Sequence, residues 1–478
     1  MTAEQVAALG PAFTDYLRCF RSCFVTSNTF AHLGTYCRGL LSDLARKSVE
    51  PIALAAGSAV RTLQEFLTHH AWDHDALLAR VQRRIVTRHL PAPGRQADAD
   101  DDRLGVVGLI DETSVPKKGD KTPGVQRQYC GARGKIDNCI VTVHLAVKHG
   151  EFLAMLDSDL FLPEQSWDLD RRRCQEAHIP EDITYRAKWM IALEQIERAV
   201  ANGVRFDWLT FDEGYGGKPE FLRQLEERGI HYVAEVPRNF RCWPTPPKYH
   251  SLQAPVAGQS PVPAPFAAKR ADNAAAWGKP FLRQDWRTVR LDRQTLGPQA
   301  WKVKAAQVYL QRDDGREGKA SPRPTDRTYW LIVARNVQTG EVKYFVSNAP
   351  PRTALKLLLK VAFCRWGVEH AFRLVKSEIG FGHFEGRSWK GLLRHLILCQ
   401  AVMLFVAEQT TRLRGEKSAA DDGADGEGLE HRLPALAGAS PQVVGPPARR
   451  VGHPLSPGPQ PRRQTIPASV SSTTNVAL

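Results

Sequence analysis

The chain has 478 residues, with 65 Lys and Arg against 51 Asp and Glu and a formal net charge of +14 at pH 7. At roughly 100–200 residues per domain this length predicts two to four domains, and an apolar share of 42% is enough for a large core. Nine scattered cysteines without a CxxC pair argue against a zinc ribbon or a disulfide-stapled secreted domain, while the positive charge favours a polyanionic partner, nucleic acid among them.

Residues 1–92 read as helical, because apolar residues recur at spacings of three and four, as in Val60, Leu63, Phe66 and Leu67. Ser48 is a candidate cap for a helix carrying Pro51 in its first turn, and Asp75 opens another near its positive end. The opening MTAEQVAALGPAF has no basic segment followed by an apolar one, so no secretory leader is expected. A Pro- and Asp-rich linker follows at 91–102.

Residues 104–110 form a short apolar run, read as a buried strand ending in Asp111. Strands are expected at 139–147 and 152–156, then a helix at 185–201. A strand at 206–211 ends in Asp212, a helix spans 219–228, and a strand spans 231–236. The order strand–strand–strand–helix–strand–helix–strand is that of the ribonuclease H fold, on which the ends of the first and fourth strands lie side by side. The expected fold class is therefore α/β, a ribonuclease-H-like core with a helical N-terminal domain and a mostly β insertion. Its parts are a helical domain at 1–92, the first part of the core at 104–240, the insertion at 241–350 and a helical part of the core at 351–410. The insertion carries strand-like stretches at 286–291, 301–310, 328–334 and 342–347. Residues 411–478 hold nine prolines and no aromatic residue, and the expectation there is a disordered tail. The longest apolar stretch, 396–407, falls short of the about 20 residues of a membrane span. A buried helix and no membrane partner are expected.

Four features carry chemistry. Asp111 and Asp212 each end an apolar strand; each either caps the following turn or belongs to a site at the sheet rim. Asp111 and Glu112 face opposite ways along a strand, so only one of them points into such a site, and Asp111 is preferred. Arg365, Glu369 and Lys376 stand at i, i+4 and i+11, one face of a helix, which reads either as a salt-bridge ladder or as a functional stripe. Between 352 and 394 nine Lys and Arg face three Asp and Glu, interleaved with Phe and Trp, which suits phosphate. Three carboxylates from distant points of the chain match a two-metal phosphoryl-transfer site, in which Mg2+ ions lie about 3.5–4 Å apart. Magnesium prefers carboxylate and water oxygens, so no His or Cys cluster is needed.

The motifs LIDETSVPKKG around Asp111, VQRQYCG at 125–131, FDEGYG around Asp212 and RWGVEHAFRLVKSEIGFGHFEGRSW around Glu369 resemble those of DDE transposases of bacterial insertion sequences. The resemblance is to the broad insertion-sequence-4-like group, and within it to the family numbered 701. The group's signature Y-x2-R-x3-E-x6-K is matched by Arg365, Glu369 and Lys376, with Ala362 at the tyrosine position and Phe363 beside it. The resemblance spans about residues 15–408. It implies that Asp111, Asp212 and Glu369 bind Mg2+ or Mn2+ and are catalytic. It also implies that Arg365, Arg373, Lys376, Lys117 and Lys118 bind DNA. The implied partners are terminal inverted repeats and target DNA, with a homodimer holding two ends, at a cytoplasmic, nucleoid-associated location. Trp286, Trp301 and Trp330 are candidates for stacking on a flipped base, or are core residues. Arg80, Arg83, Arg84 and Arg88 form a basic stripe, with 80, 84 and 88 at i, i+4 and i+8, that either reads the repeats or is a solvated face. Cys130 and Cys139 look too isolated to bind metal. Two other readings stay open: an inactivated, element-derived DNA-binding protein, and a nuclease that cuts without joining.

Overall fold

The computed structural model describes residues 5, 7–91, 104–245, 249–251, 263–265, 269–270, 285–291, 299–312, 323–374 and 378–420; at 249–251, 263–265, 269–270, 299, 312, 323, 366–374 and 415–420 it describes the backbone alone. All of these residues fall in one compact unit, 1–438, and a second unit, 439–478, lies outside the described residues.

Five helices come first: α1 (Leu9–Arg18), α2 (Ser27–Leu41), α3 (Val49–Ala55), α4 (Val60–Thr68) and α5 (His74–His89). Thr26 and Asp73 cap α2 and α5, accepting from Thr29 N at 3.1 Å and Ala76 N at 2.8 Å, so two orphan N–H groups are satisfied locally. Ser48 precedes α3 as expected, but its hydroxyl makes no capping bond and is buried with no hydrogen-bond partner among the described residues. The helix starts instead with Val49, and Pro51 lies in its first turn, where no N–H is required.

The strands are β1 (Val106–Pro116), β2 (Gln126–Cys130), β3 (Lys135–His149), β4 (Phe152–Leu160), β5 (Trp208–Phe211), β6 (Tyr232–Val236), β7 (Arg241–Trp243), β8 (Tyr249–Ser251), β9 (Pro263–Pro265), β10 (Lys269–Arg270), β11 (Arg287–Leu291), β12 (Gln299–Arg312), β13 (Arg323–Pro324), β14 (Tyr329–Asn336) and β15 (Val342–Ser347). Between them run α6 (Arg171–Glu176), α7 (Lys188–Ala201), the single turn α8 (Glu213–Gly216) and α9 (Pro219–Glu227); α10 (Leu355–Leu374) and α11 (Trp389–Ala420) follow.

Thirteen of the described strands form one mixed sheet, whose main path is β10-β7-β12-β14-β15-β6-β5-β1-β3-β2. β3 is antiparallel to β1 on one edge, and to β2 and β4 in succession on the other. β1, β5 and β6 are parallel neighbours. This is the expected strand order, with two differences. β1 does not stop at Asp111 but runs on to Pro116, because its polar second half pairs with β3 from Cys139 to His144. β2, a stretch given no element in the sequence, is a strand at the sheet edge. Gly108 is required where β1 meets β5: a Cβ there would lie 2.4 Å from Leu209 Cδ2 and 2.9 Å from Phe206 Cδ1.

The β-rich stretch expected at 241–350 extends this sheet, since β15 pairs with β6 from Val233 to Val236. The N-terminal helices likewise share one hydrophobic core with the sheet and α11. Phe13 packs on Phe405 with ring centroids 4.7 Å apart. Tyr16 donates to the Ala401 carbonyl at 2.6 Å, and Gln82 donates to that of Leu156 at 2.9 Å. The stretch Trp389–Arg414 of α11 is long and apolar enough to cross a membrane, yet its most apolar part is 83% buried against the rest of the chain. The burial marks it as a core helix. Its backbone stays helical to Ala420, ten residues past the expected start of the tail, because residues 411–420 continue the helix without a proline. The rest of that expected tail, 421–478, lies outside the described residues.

Candidate active site

The register of the three parallel strands builds the site. Ile110 on β1 pairs with Phe211 on β5, and Phe211 pairs with Ala234 on β6. One residue further along each chain stand Asp111, Asp212 and Glu235, so a row of three acids crosses neighbouring strands. The carboxyl ends of parallel strands are where open α/β sheets collect ligands.

Each acid is held differently. Asp111 accepts from the Glu112 N–H at 2.8 Å through Oδ1, and Oδ2 lies 3.3 Å from Arg365 Nη1. Asp212 ends β5 and caps α8, its Oδ1 accepting from Gly214 N at 2.9 Å. Cap and site, alternatives in the sequence, therefore coincide here: the capping bond uses one oxygen and fixes the carboxylate next to Asp111. Gly216 closes the same turn against β6, where a Cβ would come within 1.9 Å of the Glu235 carbonyl oxygen. Glu235 Oε1 accepts from Lys343 Nζ at 2.6 Å, and Oε2 lies 3.3 Å from Arg365 Nη2. The Arg365 guanidinium thus bridges Asp111 and Glu235.

Glu112 takes the other face, paired with Lys188 of α7 at 2.7 Å. Tyr215 of α8 has a fully buried hydroxyl with no hydrogen-bond partner among the described residues. Burial pushes its pKa well up, and the negative charges of Glu112, Asp212 and Asp111 push it further. The hydroxyl therefore stays protonated.

A family model described as DDE superfamily endonuclease matches residues 19–298, more than half of the chain. The chain belongs to the DDE superfamily endonucleases. The match includes Asp111 and Asp212 and stops before Glu369. A probable transposase for insertion sequence element IS701 from Microchaete diplosiphon is 31% identical over 243 residues, which are 50% of this chain and 57% of that protein.

Of the other residues singled out in this endonuclease-family chain, Glu369 and Arg373 lie on the backbone of α10, with side chains outside the description, and Lys376 lies outside the described residues. Glu369 follows Arg365 by four positions, about one helical turn. No group of three or more His, Cys, Asp or Glu is assembled to hold a metal among the described residues. Asp111 and Asp212 nevertheless fit a hard divalent cation: both offer carboxylate oxygens held on fixed backbone by the hydrogen bonds from Glu112 N and Gly214 N.

Lys117 is half-buried. Its ammonium donates to the carbonyls of Phe384 and Gly382, and burial lowers its pKa to about 8. Lys118, next in sequence, is exposed. The basic stripe on α5 is broken in the middle, because Arg84 is locked onto Glu408 with two bonds of 2.7 Å. Arg88 is exposed, and Arg80 reaches the Cys19 carbonyl at 3.5 Å. Trp301 is fully buried and stacks on Phe363 at 4.5 Å, a core position. Trp330 is tied to the Pro350 carbonyl at 3.1 Å, whereas Trp286 lies between Lys304 and Arg335, 5.1 and 5.0 Å from its ring. His383 is a neutral acceptor for the Lys47 N–H at 3.0 Å, its pKa lowered by burial. Cys130 and Cys139 are not isolated: the β2–β3 hairpin buries them in one cluster with Val141, and burial and the neighbouring thiol push Cys139 up to about 12. Glu235 carried no signal in the sequence, since it sits inside an apolar strand rather than at its end; only the register brings it to the row.

Proposed function

We propose that the chain is a transposase of the insertion-sequence family numbered 701, in the insertion-sequence-4-like group, built on a ribonuclease-H-like core. It cuts DNA at insertion-sequence ends and joins the freed ends to target DNA. Asp111, Asp212 and Glu369 hold divalent metal in this reading. The observation that carries it is the register that sets Asp111 and Asp212 side by side at the ends of paired parallel strands, with α10 bringing Arg365 onto Asp111.

Bound Mg2+ or Mn2+ would supply Lewis-acid chemistry for phosphoryl transfer. The chain's own residues do the rest. Asp111 and Asp212 present oxygens fixed by backbone hydrogen bonds, which reduces the reorganisation needed when charge develops. Arg365, permanently charged, moves between carboxylate and phosphate without a proton transfer. Exposed Lys118, with Arg373 and Lys376, adds cations for the DNA backbone, and a homodimer at the nucleoid would hold the two element ends.

The test is to incubate the purified chain with labelled DNA carrying the terminal inverted repeats and Mg2+, alongside Asp212→Asn and Asp111→Asn. Wild type is expected to cut and join, and both variants to bind without cutting. Equal cutting by Asp212→Asn would overturn the site. Binding by wild type without any cutting would favour a DNA-binding relic, and cutting without joining would favour a plain nuclease.

A further inference from the structure

We propose that the β2–β3 hairpin is a DNA-contacting ribbon, with Tyr129 and Ile136 as an apolar pair that enters a groove of the duplex and Arg127 and Lys135 as contacts to its phosphates. The proposal rests on the transposase reading above. It gives a role to the motif VQRQYCG at 125–131, which that reading leaves unused.

Alternation along β2 and β3 sorts the hairpin into two sides. The inner side is spent on the fold. Cys130 and Cys139 are buried against Val141, Gln126 Oε1 accepts from Ser166 Oγ at 2.8 Å, and Gln128 donates to the Cys139 carbonyl at 3.0 Å. The turn is tied down as well: Ala132 N donates to Ser114 Oγ at 3.2 Å. Ser114 lies three residues beyond Asp111 on β1, about 10 Å along a strand. The outer side is unspent. Tyr129 and Ile136 stand opposite each other in register and are 66 and 63% exposed. Arg127, two positions before Tyr129, is exposed on the same side, and Lys135 is exposed at the turn; neither has an ion pair among the described residues. Arg133 is paired with Asp137 at 3.3 Å, which leaves Arg127 and Lys135 as the hairpin's excess charge. Ile136 is an even number of residues from His144, the register partner of Asp111, so the outer side continues the sheet face that carries Asp111. A duplex matches such a ribbon. Its major groove admits two strands, apolar side chains wedge between base steps, and its phosphates take the cations. Two copies of the chain meeting on this face would instead set like charges against each other.

The experiment follows binding of the full chain to a fluorescein-labelled duplex of about 30 base pairs, three helical turns. Anisotropy is read in EDTA, so that no strand is cut, over a range of KCl concentrations. Tyr129→Ala with Ile136→Ala is expected to raise the Kd about tenfold at fixed salt through lost apolar burial, with the salt slope as in wild type. Arg127→Ala with Lys135→Ala is expected to reduce the slope of log K against log salt by about 1.8, at about 0.9 per phosphate. All four side chains are exposed, so both double variants should melt at the wild-type temperature, which a merely structural role would lower. Where wild type binds the duplex, a wild-type Kd in the first double variant or a wild-type slope in the second overturns the hairpin's role alone. Loss of self-association by the first double variant in sedimentation, with DNA binding intact, overturns it in favour of a second copy as the partner. No binding of the duplex by wild type sinks the transposase reading itself, and the inference with it.

Discussion

Glu408→Ala is expected to destabilise the chain by about 3–5 kcal/mol, the range for removing one partner of a buried ion pair. The pair joins α5 to α11: Arg84 Nε and Nη2 reach the two Glu408 oxygens at 2.7 Å each, with side chains 16 and 9% exposed. His89 Nε2 adds a contact at 3.3 Å, and the guanidinium lies 4.9 Å over the Tyr16 ring. Alanine leaves that guanidinium buried without its carboxylate. Replacing both partners with apolar residues, as in Arg84→Met with Glu408→Leu, should recover most of the loss. Acid provides a second arm. Burial alone would raise the Glu408 carboxyl, but hydrogen bonds from His89 and Arg84, with the charge of Arg84, hold it below the ordinary value. An acid depressed in the folded state contributes stability above its unfolded pKa of about 4.3. That contribution is lost as pH falls through the lower folded value, so wild type should lose it on acidification and the double variant should not. Urea unfolding followed by tryptophan fluorescence reads both. Glu408→Ala within about 0.5 kcal/mol of wild type, the range of ordinary surface changes, would refute the reasoning. The double variant should also bind repeat DNA as wild type does, because Arg84 is spent on the fold.

Three further outcomes follow from the geometry. Gly216→Ala forces a methyl against the Glu235 carbonyl; it should cost about 1–3 kcal/mol by overpacking and reduce strand cleavage by shifting the turn that Asp212 caps, read by thermal melts and a cleavage gel. Lys117 has a folded pKa near 8 because of burial, against about 10.4 unfolded. Between those values the unfolded chain binds more protons, so stability should rise from pH 8 to about 10. Lys117→Met should flatten that rise in melts taken across the range. Glu112→Gln removes a half-exposed pair with Lys188 worth at most about 1 kcal/mol, and should leave strand cleavage unchanged while Asp111→Asn abolishes it.

Much of the strand order was legible because its signals are local. Apolar runs before Asp111 and Asp212 marked β1 and β5, Pro219 at the first turn marked α9, and four stretches in 286–347 fell on β11, β12, β14 and β15. What was not legible depends on partners distant in sequence. The polar residues Glu112, Thr113 and Ser114 extend β1 only because β3 pairs with them. An amphipathic helix declares an apolar face but not what covers it, so α1–α5 read as a separate unit although they share the core of α11 and the sheet. Basic residues are equally ambiguous: Arg84 and Lys117 look like phosphate contacts in sequence, and each is turned inward onto an acceptor. Asp111 and Asp212 were proposed from strand order, and register alone added Glu235 beside them.

The most direct measurement is a metal-specificity switch at Asp212. Asp212→Cys replaces a hard oxygen with a thiolate, which suits magnesium poorly and softer cations better. If Asp212 holds the metal, the variant should fail to cut repeat-end DNA in Mg2+ and regain cutting in Mn2+. Cutting in Mg2+ at the wild-type rate would contradict the account.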